Sequence, residues 1–240
     1  GLFDNRIDLQ VDYFNNKRKS ILLQRNTVSN VTGFQQMPWQ NFGIVKNHGV
    51  DASLTLNQKI GQVNLSARGN FTFARNEIIE YDQVPQVYPW LEKRGTRLNS
   101  NKLYIAEGLY TYDDFIINGE GLNRTYELKP GIVSGLSSGV RPGDIKYKDQ
   151  NGDGIIDAED EIAIGRSNYP ELVYGLNLNA EWKGFDITFF FQGAALADFY
   201  YNGYLAFPYI EGRGGALLEH HIGNTWTPEN PKAEFPRLYY

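Results

Sequence analysis

Cysteine is absent from the 240 residues, so no disulfide framework and no thiolate metal site can organise this chain. Histidine occurs only as His48, His220 and His221, with no H-x-x-x-H spacing for zinc, and no G-x-S-x-G elbow is present. The sequence therefore offers no catalytic residue, and the reading is of a protein that is not an enzyme. Basic residues number 23 against 28 acidic ones, for a net charge of −5, and they are scattered. Without a basic stripe, nucleic acid is excluded as a partner. No signal-peptide pattern opens the chain, and no run of about 18 apolar residues exists, which excludes a transmembrane helix but not a membrane-crossing strand. Such a strand needs only about 9 to 11 residues with alternate positions apolar, a pattern that a mean hydropathy of −0.46 conceals.

What the chain does have is aromatic residues, 14% of the total, with 25 glycines. Aromatic and β-branched side chains suit a pleated surface. Five segments alternate with period two, as strands require. Ile7, Leu9, Val11 and Tyr13 oppose Asp8, Gln10 and Asp12; Val50, Ala52, Leu54 and Leu56 oppose Asp51, Ser53 and Thr55. From Val63 to Phe73 the alternation is unbroken. Tyr174 to Trp182 and Phe185 to Phe191 follow, joined by Lys183-Gly184, which reads as a tight hairpin turn. Phe190 is the one apolar residue on the polar face of its strand, and is expected to pack on something inside that face.

The connections are unequal. A turn is expected near Asn57 to Gln62 and another at Lys183-Gly184, while residues 74–173 form one very long connection. Loops of that length are rare in compact domains. Short turns on one side and long loops on the other are how outer-membrane barrels are built, periplasmic and extracellular respectively. On that scheme 63–73 and 185–193 run outward and 174–182 runs inward. The same alternation also fits a soluble extracellular sandwich, an adhesin or carbohydrate-binding module, whose apolar face meets a second sheet in place of lipid. Aromatics at the segment ends (Tyr13, Phe14, Phe71, Phe73, Trp182, Phe185) favour the barrel.

Within the long connection, residues 149–160 fit the twelve-residue calcium-loop template D-x-[DN]-x-[DN]-G. Asp149, Asn151 and Asp153 supply side-chain oxygens at positions 1, 3 and 5, and Gly154 permits the turn. The carbonyl of Ile155 stands at position 7, Asp157 acts through water at position 9, and Asp160 closes the site. Aspartate at position twelve and the lack of flanking amphipathic helices resemble the dockerin form of this loop. The expected ion is a structural Ca2+ that stiffens an outer loop; a solvated acidic turn is the alternative.

Four strings, in order, resemble the SusC/RagA family of TonB-linked outer-membrane proteins. Asn41 to Asp51 is similar to the family's N-x-G-x-x-x-N-x-G-[VI]-[ED] stretch, and Gly143-Asp144-Ile145-Lys146-Tyr147-Lys148-Asp149, running into the calcium-type loop, to its G-D-[IL]-[KR]-[YF]-x-D segment. Tyr174-Gly175 with Lys183-Gly184-Phe185-Asp186 and Phe191-Gln192-Gly193, and then Trp226-Thr227-Pro228-Glu229-Asn230-Pro231 with Ala233 and Pro236-Arg237, complete the series. The resemblance implies an all-β fold: residues 1–240 would be an antiparallel piece of a TonB-dependent receptor β-barrel with long extracellular loops, in the Gram-negative outer membrane. It implies active import of oligosaccharides or peptides with a SusD-like surface lipoprotein as lid, and TonB engaged through an N-terminal part. The family's plug, TonB box and last strands are expected to lie outside this chain.

A polar face carrying Asn64, Arg68, Asn70, Asn177, Asn179, Glu181, Asp186 and Gln192 suits a hydrated bore or, more plainly, wall hydrogen bonding. Loop aromatics Tyr88, Trp90, Tyr110, Tyr112, Tyr200, Tyr201, Tyr204 and Tyr209 stack on cargo, meet the lid, or fold the loops on themselves. His220 and His221, beside Glu219, are expected to be a solvated pair pointing opposite ways, with transition-metal binding as the rival reading.

Overall fold

A computed structural model describes residues 1–136, 139–208 and 217–238. It divides into two units. The first holds residues 1–87, 92–101 and 164–199, and the second 88–91, 102–163 and 200–240.

The first unit is a five-stranded antiparallel sheet in the order β1-β2-β3-β10-β11, with β1 Ile7–Gln24, β2 Trp39–Ile60, β3 Val63–Glu80, β10 Leu172–Trp182 and β11 Phe185–Ala195. The sheet does not close, and β1 and β11 are its edges. Every alternating segment read from the sequence is a strand. The register aligns their apolar positions: Leu9 faces Leu54, Leu54 faces Gly69, Gly69 faces Leu176, and Leu176 faces Phe191. One face is therefore apolar across all five strands, and its side chains are exposed, with Leu9 at 60%, Leu54 at 39%, Leu178 at 37% and Phe189 at 53%. A sandwich core would cover these positions. Among the described residues, no second sheet does so.

Three strands run further than alternation suggested. β1 continues past Tyr13 to Gln24 through a bulge at Ser20 (φ +56°), β2 begins at Trp39, and β3 continues past Phe73 to Glu80. Beyond Tyr13, Val50 and Phe73 the formerly apolar face carries Asn15 and Lys17, His48 and Lys46, Arg75 and Glu77. The other face there mixes Asn16, Asn47 and Asn76 with Phe14, Val45 and the buried Ile78, so neither face is uniformly apolar and period two leaves no trace in composition although the ladder persists. At the other end the expected turn over 57–62 shrinks to Gly61-Gln62, because Asn57 to Ile60 stay paired with Val63 to Ser66. The Lys183-Gly184 turn forms as expected, with φ of +47° and +84°, the two left-handed residues of a type I′ hairpin.

Asp82 ties the far end of β3 to the β1–β2 connection. It is 4% exposed and accepts hydrogen bonds from the Thr27 N–H and hydroxyl and the Asn26 N–H, beside the Arg25 guanidinium at 3.1 Å. Burial alone would raise this carboxyl; the Asn26 and Thr27 hydrogen bonds and Arg25 outweigh it and hold the pKa at about 2, below its ordinary 3.8. A folded-state pKa below the unfolded one stabilises at pH above about 4, and the gain disappears as pH falls through about 2. Asp82→Asn should thus cost on the order of 2 kcal/mol at neutral pH and nothing near pH 2. Hydrogen exchange at residues 25–27 across that range measures it, and a pH-independent difference would contradict it.

In the second unit the long connection is not featureless. It carries β4 Asn101–Leu103, β5 Ala106–Leu109, β6 Phe115–Asn118, β7 Thr125–Leu128, β8 Ile145–Tyr147 and β9 Ile162–Ile164, paired as β4 with β9, β5 with β8 and β6 with β7. Tyr110, Phe115 and Val140 form its core, with Tyr126, Leu128 and Ile132 against them. The Tyr110 hydroxyl donates to the Val133 carbonyl at 2.7 Å, and burial pushes its pKa up to about 12.

Candidate functional site

The polar residues singled out from the sequence are brought together. On the face opposite the apolar one, Asn64 faces Glu181 and Glu181 faces Asp186; Arg68 faces Asn177; Ser66 faces Asn179 and Asn179 faces Thr188. β2 and β1 extend the grid, with Thr55 beside Arg68 and Asp12 opposite Asp51. The side chains bond laterally: the Thr188 hydroxyl donates to Asn179 Oδ1 at 3.0 Å and Asn179 Nδ2 donates to Glu181 at 3.3 Å. Open hollows remain between them. One of about 470 Å³ is lined by Arg6, Asn57, Lys59, Asn64, Asn179 and Glu181, and one of about 300 Å³ by Thr55, Arg68, Asn177 and Thr188. Such a surface offers water and polar solutes alternating donors and acceptors of both charge signs. Phe190, opposite Asn177 in the middle of it, is 65% exposed among the described residues.

Two glycines of the recognised strings have a physical reason here. The Tyr174 ring lies across Gly193, where a Cβ would stand 2.4 Å from it. At Gly49 a Cβ would collide with the Phe73 carbonyl and the Phe14 ring.

In the second unit two distant strings meet. The Arg237 guanidinium donates to Asp144 Oδ1 at 2.6 Å, the Arg237 N–H donates to the Gly143 carbonyl at 2.9 Å, and the Trp226 ring covers Gly143. Asp144 is 7% exposed and Trp226 8%. The Thr227-to-Asn230 turn is closed by the Asn230 N–H on the Thr227 carbonyl at 3.0 Å and pinned by Asn230 Nδ2 on the Gly223 carbonyl at 3.0 Å. Sequence reading had the strings but not the Asp144–Arg237 pair; the opposite charges in matched strings were the available signal.

These strings now have a family. A family model described as "TonB dependent receptor-like, beta-barrel" matches residues 2–189. The chain belongs to the TonB-dependent receptor-like β-barrel family. It is 29% identical over 242 residues to TonB-dependent receptor P26 of Formosa agariphila and 26% identical over 251 residues to TonB-dependent receptor P3 of the same organism, in each case across 99% of this chain and 23% of the relative. It spans about a quarter of the length of the curated relatives it matches. Structures of the RagAB peptide transporter superpose with a TM-score of 0.61 over 98% of this chain and 24% of that one, at 22% identity, and in the "open-open" state with 0.63 over 99% and 24%, at 23% identity. At that identity they show a shared fold, the open strip of barrel wall described above.

Within this TonB-dependent receptor piece the calcium-template loop is turned as the template requires. Gly152 and Gly154 have φ of +79° and +87°. Asp149 accepts from the Gly152 and Gly154 N–H groups at 2.6 and 2.8 Å, and Asp153 from the Ile155 N–H at 2.8 Å. Asp160 is 1% exposed and accepts from the Gln150 and Asp157 N–H groups at 2.7 and 2.9 Å, while Asp157 caps the single helical turn at 158–160 through the Glu159 N–H. Asn151 Nδ2 donates to Asp153 and Glu159. The backbone fits the ion's loop; the carboxylates are spent on backbone N–H groups, and among the described residues no three acidic or histidine side chains are gathered around one point.

The loop aromatics mostly fold the loops. Tyr88 stacks on Trp90 at 4.6 Å, and Trp90 Nε1 donates to the Glu159 carbonyl of the calcium-template loop at 2.7 Å. Tyr110 is fully buried, and Tyr112 lies between Tyr126 and Trp226. Tyr200 and Tyr201 are 52% and 44% exposed; Tyr209 lies outside the described residues, as does the side chain of Tyr204. The histidine pair corrects its reading. His220 and His221 sit in a helical turn at 219–221, not in extended chain, so their rings lie 4.0 Å apart and both Nε2 atoms reach the Leu205 carbonyl, with His221 1% exposed.

Proposed function

We propose that this chain is a stretch of the wall and outer loops of an outer-membrane, TonB-dependent importer. The observation that carries the reading is the register: over the alternating segments the five strands place their apolar positions, Phe190 apart, on one exposed face and a grid of Asn, Arg, Glu and Asp on the other. Lipid on the first and water on the second satisfy both, whereas water on both would leave an exposed apolar sheet. The strand edges β1 and β11 are then completed by neighbouring strands of the same barrel, since unpaired edges are not tolerated in hydrocarbon. The cargo is an oligosaccharide or peptide too large to diffuse through a porin, received under a SusD-like surface lipoprotein and released inward through TonB. RagAB is a peptide transporter of the same fold, which supports this class of cargo. Uptake of a labelled oligosaccharide or peptide by cells expressing the intact protein, with and without TonB, tests it; uptake independent of TonB, or a protein recovered outside the outer-membrane fraction, would defeat it.

The loop at 149–160 binds Ca2+ in this reading. Asp149, Asn151, Asp153, the Ile155 carbonyl, Asp157 through water, and Asp160 would hold it, and its charge would stiffen the loop. The turned backbone and the buried Asp160 support this. Because Trp90 is anchored on Glu159, ordering the loop also orders the Tyr88–Trp90 stack. Calcium should slow protease cleavage between 149 and 160 in the intact protein about ten-fold relative to a chelated sample, corresponding to roughly 1.4 kcal/mol. Asp149→Asn with Asp153→Asn should abolish the difference; equal rates with and without calcium would remove the ion from the account.

A further inference from the structure

The apolar face ends abruptly at its long-loop end, and the rows of side chains beyond it are basic. Pairing is uninterrupted from Ile7 to Arg18 in β1, from Val45 to Ile60 in β2 and from Val63 to Ile78 in β3, so alternation fixes which side chains continue the apolar face. Above the row Tyr13–Val50–Phe73 comes Asn15–His48–Arg75, and above that Lys17–Lys46–Glu77. Arg75 lies over the Phe73 ring at 5.4 Å, as residues sharing a face should.

This patch is not neutralised from within. Lys17 and Lys46 are directly opposite in an antiparallel pair, an arrangement of like charges that destabilises a ladder. Neither they nor Glu77 joins an ion pair among the described residues. His48 Nδ1 is buried without a hydrogen-bond partner. Arg75 is committed to Glu171 at 2.8 Å, and Arg97 and Arg166 approach the same carboxylate, with Asp198 beside Arg166 at 3.8 Å, so these three guanidiniums face two carboxylates and one positive charge is left over. The mutual repulsion of Lys17 and Lys46 calls for an anion.

Depth identifies which one. From Val63 to Phe73 the strand advances about 33 Å at about 3.3 Å per residue, or about 25 Å along the membrane normal at a tilt near 40°, which is the height of a barrel's apolar band. His48, Arg75, Lys17 and Lys46 therefore stand within about 5 to 10 Å beyond hydrocarbon, at headgroup level, on the side that faces lipid and not the bore. We infer that Lys17, Lys46 and His48, backed by Arg75, form a binding site on the barrel's outer surface for the phosphate headgroup of an anionic lipid of the outer leaflet. Charge-assisted hydrogen bonds from the two ammonium groups hold the phosphate oxygens, and its acyl chains lie along the row below. The inference rests on the apolar face being the lipid-facing wall.

The test uses the intact protein in neutral detergent, titrated with a lipid bearing phosphomonoesters, with the same lipid after enzymatic dephosphorylation, and with inorganic phosphate, and read by native mass spectrometry. Wild type should retain the phosphorylated lipid in preference to both others. Lys17→Gln with Lys46→Gln removes two groups that support no ion pair among the described residues, and should weaken retention about twenty-five-fold at about five-fold per charge, while Glu77→Gln should strengthen it. Equal retention of the dephosphorylated lipid, or a double variant indistinguishable from wild type although it inserts normally into vesicles, overturns the site and leaves the wall intact. Failure of the wild type to insert into vesicles overturns the wall, and the site with it.

Discussion

Arginine in place of Leu178 should cost about 2–4 kcal/mol of folding free energy in a bilayer, whereas arginine in place of the adjacent Asn179 should cost no more than about 0.5 kcal/mol. The two positions are adjacent in one strand, at nearly the same depth, and pair with the same two neighbouring strands. Leu178 faces Ala67 on one side and Phe189 on the other, so a guanidinium there meets only apolar side chains and acyl tails. Asn179 sits between Ser66 and Thr188, two residues from Glu181, where a guanidinium finds water and a carboxylate. The difference is therefore dominated by the solvent that each face sees, since the introduced residue and the strand are the same. Denaturant unfolding of the intact protein from phospholipid vesicles measures it. Equal costs at the two positions would mean that the apolar face does not look onto hydrocarbon, and the importer reading would lose its support.

That test is sharp because the sheet was so nearly written in the sequence, and its blind spots share one cause. Val63 to Phe73 and Tyr174 to Trp182 were legible because opposite faces meet opposite media, so composition carries the pleat. Beyond Phe73, and before Val50, each face mixes polar with apolar residues; the ladder continues through Arg75 and Ile78 or His48 and Ile44, but alternation no longer reports it. The same loss turned Asn57-Gln58-Lys59 into an apparent loop. The turn at 149–160 was legible because its short polar side chains and its glycines at 152 and 154 lie in one segment, where they bond their own backbone and take positive φ. The basic rim was not, since Lys17, Lys46 and Arg75 are neighbours only through the register of three strands. His220 and His221 were misjudged for a related reason: whether adjacent side chains diverge depends on a backbone turn that the sequence around them does not mark.

Gly143 is where the two distant strings depend on each other most, and Gly143→Ala should destabilise the second unit by about 2–5 kcal/mol. Two terms add. Its φ of +91° lies in the region where a side chain is strained, at about 1–2 kcal/mol for an L-residue. A methyl there would stand 2.5 Å from the Trp226 ring and 2.9 Å from the Arg237 Cβ, an overpacking of about 1–3 kcal/mol. Neither neighbour can retreat freely: the Trp226 N–H is bonded to the Phe235 carbonyl at 2.9 Å, and Arg237 is held twice, by its guanidinium on Asp144 and its N–H on the Gly143 carbonyl. Relief must come by expelling the Trp226–Arg237 strand of chain, which uncovers Asp144 and leaves its carboxylate without the guanidinium. Faster hydrogen exchange should therefore appear together at Tyr110 and Gly143, whose N–H groups bond the Asp144 and Tyr110 carbonyls, and at Trp226 and Arg237. Exchange in β10 and β11 should stay unchanged, because their ladder belongs to the other unit. A variant in which only the residues beside position 143 exchange faster would show that the two strings are packed together without being coupled.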